Sequence, residues 1–221
     1  PCYYIYRLTM DGRSQAGLVC GSSLDDYDNG LVKKHEFTRP EKELDRINHI
    51  KTTGAQTGNV FLAYQAVPEI DAVINKWITD KNCQYDFIAE DGIQHSVWIV
   101  NDDATISKIT ELFKELVPCS YIADGHHRAA SAAKVRTMEV SAHHENNGYF
   151  LTTLFPANQL HILDYNRIIK DKNDLTTEQL LDKVAAHFNI EKVAEAYRPE
   201  APGYFGLYID KQWYKLKAKV D

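Results

Sequence analysis

No apolar run in this 221-residue chain approaches the length of a membrane-spanning helix, so a membrane partner is not expected. The first residues do not read as a secretory signal, and a cytoplasmic setting is the expectation. Two phosphate-binding loops are missing. Neither G-x-x-x-x-G-K-[ST] nor G-x-G-x-x-G occurs, which excludes the P-loop and Rossmann ways of holding a nucleotide. The four cysteines, Cys2, Cys20, Cys83 and Cys119, form no C-x-x-C pair. No H-x-x-x-H pair occurs either, and His126, His127, His143 and His144 with Glu145 are too loosely spaced for a structural zinc. No tightly bound metal is expected. Positive charge is in deficit, with 25 Lys+Arg against 31 Asp+Glu and a net charge of −6, which argues against a nucleic-acid partner. Repeats and low-complexity tracts are absent too, and no pattern selects an oligomeric state.

What remains is ordinary globular composition, 44% hydrophobic and 25% charged, enough for one large core or two small ones. Pro1 at one end and alternating lysines near the other read as cuts in a longer protein. Asp11-Gly12 between Tyr3–Met10 and Arg13–Cys20 predicts a two-residue hairpin. That register sets Cys20 opposite Tyr3 and turns Cys2 to the other face, so free thiols in a reducing compartment are expected. Thr38 is expected to cap a helix that begins at Pro40 and runs to about Lys51, with Glu41 closing a capping box. Further elements are a strand at Val60–Tyr64 and a helix from Pro68 with Ile70, Val73, Ile74 and Trp77 on one stripe. A second Asp-Gly hairpin spans Tyr85 to Val100, and a helix capped by Asp102 or Asp103 follows it.

The later part reads as a strand at Cys119–Ala123, a helix to about Val140 and a loop from Ser141 to Asn147. Paired strands are expected at Tyr149–Phe155 and Leu160–Ile169, then a helix capped by Thr176 and Gln179 with Leu180, Leu181, Val184 and Phe188 inward. Gly203–Ile209 and Gln212–Lys219 form a last hairpin, in which Lys215, Lys217 and Lys219 would protect an edge strand. Hairpins mixed with helices make the fold α+β, a mixed and largely antiparallel sheet with packed helices. Three segments are expected: 1–58, 59–155 and 156–221.

The chemistry concentrates in Asp124-Gly125-His126-His127-Arg128, between an apolar strand and an alanine-rich helix. A helix N-terminus offers unpaired N–H groups and partial positive charge to an anion. Gly125 permits close approach to the backbone, and Arg128 can grip two oxygens at once. Asp124 would either cap the helix or hold magnesium through water. His126 and His127 lie about 100° apart, so one of them would face a ligand. The plain alternative is an ordinary N-cap carrying surface histidines. Lys33-Lys34-His35-Glu36 is a second candidate, with Glu36 as general base against the reading of a solvated charge run. Asn166 and Arg167 fall in a strand-like run and must point to opposite faces, so one of them would meet the site. With His35 they are the expected supporting residues.

Tyr121 to Ala130, read as Tyr-Ile-Ala-Asp-Gly-His-His-Arg-Ala-Ala, resembles the phosphate-binding turn of the ParB/sulfiredoxin superfamily. Its Asp-Gly-His-His-Arg form is similar to that of the free serine kinases. Nearly the whole chain also resembles the bacterial and archaeal family catalogued as domain of unknown function 1015. The matching stretches are Lys34-His35-Glu36-Phe37-Thr38, Asp45-Arg46, Tyr121 to Arg128, and Leu163-Asp164-Tyr165-Asn166-Arg167. Members of that family usually carry a further N-terminal portion, whose absence would remove part of a nucleotide pocket. The resemblance implies a ParB/sulfiredoxin-like core within 59–155, with Gly125, His126, His127 and Arg128 on phosphates and Asp124 supporting the turn or a metal. It also implies a glutamate base, for which Glu36 is the candidate, with His127 or His126 donating a hydrogen bond. The expected function is phosphoryl transfer from ATP or ADP, with Mg2+, to a small serine-like hydroxyl metabolite. The alternative is a nucleotide- or phosphate-binding regulatory or scaffold protein without turnover.

Overall fold

A computed structural model describes residues 2–138 and 148–219. The expected loop at 141–147, with His143, His144 and Glu145, lies outside the described residues; the helix expected to run to about Val140 ends earlier, at Arg136, with Thr137 as its C-cap. The chain divides into two compact units, residues 1–161 and 162–221.

The first unit begins with the hairpin β1 (Tyr3–Met10) and β2 (Arg13–Ser23). Asp11 and Gly12 both take positive φ, 51° and 75°, which a tight turn matched to strand twist requires. Met10 faces Arg13 and Tyr4 faces Val19, the register that a two-residue turn at Asp11-Gly12 sets. All four cysteines are free. A short helix unmarked in the sequence reading follows, α1 (Leu24–Asp28), capped by the Ser23 hydroxyl. Then come β3 (Val32–Lys33), α2 (Pro40–Thr53), β4 (Val60–Tyr64), α3 (Pro68–Asp80), β5 (Tyr85–Ile88) and β6 (Gln94–Val100). The unit continues with α4 (Asp103–Leu116), β7 (Ser120–Asp124), α5 (His126–Arg136) and β8 (Tyr149–Pro156).

The sheet order is β3-β7-β4-β8-β2-β1-β6-β5. Only β3 with β7 and β4 with β8 run parallel, so among the described strands the sheet is mixed and largely antiparallel. Strands from 1–58 and from 59–155 interleave within it. Period-2 alternation sends Ile5, Leu18, Leu62, Trp98, Ile122 and Leu154 to one face. There they join Ile70 and Ile74 of α3, Ile109 and Leu112 of α4, and Ala129 and Ala132 of α5 in one buried cluster. Small alanines let α5 lie close to the sheet, which brings the end of β7 and the start of α5 to a fixed place.

Several expectations change. Thr38 does not cap α2: Arg39 is the N-cap and no side chain accepts there, because the Thr38 hydroxyl donates to the Glu43 carboxylate instead. Glu41 therefore closes no capping box. Asp102, rather than Asp103, caps α4, accepting from the Thr105 N–H at 2.8 Å. The expected strand at Leu160–Ile169 is absent, since residues 160–170 form no strand. The reason is topological. Both edges of β8 are already occupied, by β2 and β4, so β8 offers no backbone to a following strand.

The second unit holds α6 (Thr177–His187), β9 (Phe188–Val193), β10 (Tyr204–Ile209) and β11 (Gln212–Ala218). Phe188 opens β9 instead of lying on the helix, and its strand went unpredicted. Asp210 and Lys211, at φ 49° and 62°, make the last hairpin turn. Sheet order β10-β11-β9 makes β11 central, which overturns edge protection by its lysines. Lys215 is 3.6 Å from Glu191, Lys217 lies over the Tyr204 ring, and Lys219 donates to the Ala185 carbonyl.

Candidate functional site

The start of α5 differs from the other described α-helices. Side chains cap α1, α4 and α6, while α2 and α3 begin with proline and carry acids in the first turn. At α5 there is no side-chain cap and no acid in the first turn, and the first three helical residues are His126, His127 and Arg128. The N-cap is Gly125, left-handed at φ 100°, a conformation that glycine tolerates best. Asp124 is therefore not the cap.

Arg128 folds back over this turn. Its Nη2 donates to Asp124 Oδ2 at 2.5 Å, and its Nη1 donates to the Asn59 carbonyl. A Cβ added at Gly125 would sit 3.1 Å from Arg128 Nε, and one at Gly58 would sit 3.2 Å from Nη1. Two glycines thus make room for one guanidinium. A cation at the positive end of a helix is unfavourable by itself, and the Asp124 carboxylate offsets it. Helix amides and guanidinium thus lie together at one spot, with the Asp124 carboxylate beside them.

The two histidines do something the sequence reading missed. His126 is only 4% exposed. Its Nε2 accepts the N–H of His35 at 3.4 Å, and its ring meets the His35 ring edge-on at 4.5 Å. His127 Nε2 accepts the N–H of Arg39 at 3.1 Å. Both imidazoles therefore hold the strap of residues 34–39 that joins β3 to α2. An accepting nitrogen carries no proton, so neutral His126 bears its hydrogen on Nδ1, which lies 3.5 Å from Glu36 Oε2. Burial chiefly pushes the His126 pKa down, helped by His35 and His127, while Glu36 and Asp124 pull it up. Neither histidine stands free to meet a ligand with Nε2. Adjacent histidines in sequence carry no sign of a tether to a strap some ninety residues earlier.

The strap sets Glu36 Oε2 3.5 Å from His126 Nδ1 and packs the His35 ring against that of His126. Asn166 and Arg167 belong to the second unit, where Arg167 lies over the Tyr165 ring at 4.2 Å. In the first unit, a cleft of about 680 Å³ opens between α2, residues 56–58 and the start of α5. Arg39, Lys42, Arg46 and His49 line its α2 wall, at a spacing that keeps them on one side of the helix. Their basic periodicity could have been read from the sequence. Arg39 with Glu41 at 3.8 Å and Arg46 with Asp45 at 3.7 Å are loose, exposed pairs that contribute little. His49 Nε2 lies 3.1 Å from the Thr57 hydroxyl, tying the helix to the loop beside Arg128. Glu43, nearly buried, ties α2 to α5 through Lys134, and its pKa is held low by Lys134 first and Thr38 second. Among the described residues no three His, Cys, Asp or Glu side chains converge as a metal site.

Among the described residues no helix is long and apolar enough to cross a membrane. Comparison with curated proteins and with solved structures finds no match. One family does match, across residues 1–221, and its description is "Protein of unknown function (DUF1015)". This chain belongs to that family.

Proposed function

We propose that the cleft binds a nucleotide and transfers its terminal phosphoryl group to a small hydroxyl-bearing metabolite of serine-like size. The observation that carries this reading is the start of α5, which lacks both a side-chain cap and a first-turn acid and has Arg128 folded across it. Phosphate oxygens would take the amides of residues 126–128, as in a ParB/sulfiredoxin-like turn, and share Arg128 with Asp124. Asp124 is the carboxylate available to magnesium arriving with ATP or ADP. Glu36, 58% exposed and beside His126 Nδ1, is the base. It takes the hydroxyl proton as that oxygen bonds to phosphorus, while the bond to the bridging oxygen breaks and the shortened nucleotide leaves. The proton then passes to water. His127, with Nε2 engaged, has Nδ1–H left to donate.

A second reading draws on the same contacts. Arg128 already has two protein partners, so an incoming anion would exchange with Asp124 and the Asn59 carbonyl and shift residues 56–59 without chemistry. That would be a nucleotide-responsive regulatory protein. Phosphorus NMR of the protein with MgATP or MgADP and a panel of serine-like acceptors separates the two. A new phosphomonoester signal, slowed about a hundredfold in Glu36→Gln, is expected for transfer. Nucleotide-raised thermal stability with no product would favour the second reading. Neither effect would overturn both.

A further inference from the structure

Residues 34–39 separate the cleft from a smaller cavity of about 430 Å³. Its lining differs in kind. Tyr27, His35 and Phe37 supply aromatic surface, and Lys34 sets its ammonium 3.6 Å from the centre of the Tyr27 ring. Glu36 and His126 line both spaces, so the smaller one adjoins the cleft at the α5 turn. Phe37 is wholly exposed. Its exposure does not come from an untethered loop, because the strap is held on both sides of it. The His35 N–H is bound by His126, the Thr38 hydroxyl by Glu43 and the Arg39 N–H by His127. A large apolar ring is thus kept in water at the mouth of a cavity beside an anion-attracting helix start.

We infer that this smaller cavity is a nucleobase subsite, in which Phe37 stacks on the base of the same nucleotide whose phosphates lie at residues 126–128. The inference rests on the phosphate reading of the α5 start. A flat heteroaromatic ring suits these walls: its faces stack on aromatic side chains, and its edge nitrogens and carbonyls accept from a nearby ammonium such as Lys34. An inorganic polyphosphate, with no flat or apolar face, would gain nothing from Phe37. The sugar of the nucleotide would lie across the outer side of the Glu36–His126 pair, whose side chains are common to both spaces.

Calorimetry with MgATP and with magnesium tripolyphosphate, on the wild type and on Phe37→Ala, tests this. Phe37 makes no buried contact, so the variant should melt where the wild type does. The expected result is that ATP binds more tightly than tripolyphosphate, and that Phe37→Ala weakens ATP about tenfold while leaving tripolyphosphate unchanged. Equal binding of the two ligands, or an equal loss of both in Phe37→Ala, overturns the base subsite and leaves the phosphate seat standing. If neither ligand binds the wild type, the phosphate reading falls and this inference falls with it.

Discussion

The starts of α5 and α6 solve one problem in opposite ways. At α6 the Thr176 hydroxyl accepts the Gln179 N–H, and the Gln179 side chain accepts the Thr176 N–H at 2.9 Å, so two of the amides at that end are satisfied by its own side chains. At α5 the corresponding groups are left to Gly125, two histidines and Arg128, with Asp124 and the Asn59 carbonyl as the partners of the guanidinium. The first arrangement is closed by side chains of the helix itself. In the second, the polar groups are arranged around space that opens into a cleft. A helix start that satisfies itself has no use for a ligand, whereas one that recruits a cation to its positive end gains when an anion arrives.

Removing Arg128 should break this contrast most sharply. In Arg128→Ala the helix amides remain but the bidentate grip is gone, and the Asn59 carbonyl loses its donor. A nucleotide-dependent rise in melting temperature should disappear, with a stability loss of about 1–2 kcal/mol from the lost charged hydrogen bonds. Differential scanning fluorimetry with and without MgATP reads both, and an undiminished nucleotide shift would remove Arg128 from the site. Gly125→Ala is next. A side chain at φ 100° costs about 1–3 kcal/mol, and the new Cβ would press on the guanidinium. Urea denaturation should show that loss together with weakened nucleotide binding. Thr176→Ala should cost about 1 kcal/mol through the lost cap and leave nucleotide binding untouched. If it altered binding, the division between a self-satisfied helix start and a ligand-dependent one would not hold.

Much of this fold was open to inspection because local chemistry decides it. Asp11-Gly12 and Asp102 act on neighbours within a few residues, and so do Pro68 and the Thr176–Gln179 pair. Failures came where a distant partner decides. Leu160–Ile169 has the alternation of a strand, but strand pairing needs a free edge and β8 has none. Thr38 has the chemistry of a cap, but Glu43, ordered by Lys134 some ninety residues later, takes its hydroxyl. The candidate site divides along the same line. Gly125 and Arg128 could be read from the strand-turn-helix pattern, and Glu36 as a charged residue before a helix. That His126 and His127 accept from backbone N–H groups of the strap has no local signature at all.

Acid should distinguish the two helix starts by the smallest effect. Every member of the α6 capping box is uncharged, whereas both strap tethers depend on an imidazole lone pair. His126 meets His35 and Glu36 on the strap, with Asp124 and His127 at its own turn. Burial and His35 together hold its folded pKa below the ordinary value of about 6.5. The unfolded chain therefore binds a proton there first. This stabilisation is complete above the ordinary histidine value and is lost as pH falls through the lowered folded value. Protonated His126 cannot accept the His35 N–H. Amide exchange of His35, corrected for the intrinsic pH dependence, should lose protection as pH falls below the ordinary histidine value of about 6.5, while the Gln179 amide keeps its own. Unchanged protection of the His35 amide down through the acid range would mean that the His126 imidazole does not hold the strap, and that Glu36 owes its place beside the α5 turn to some other contact.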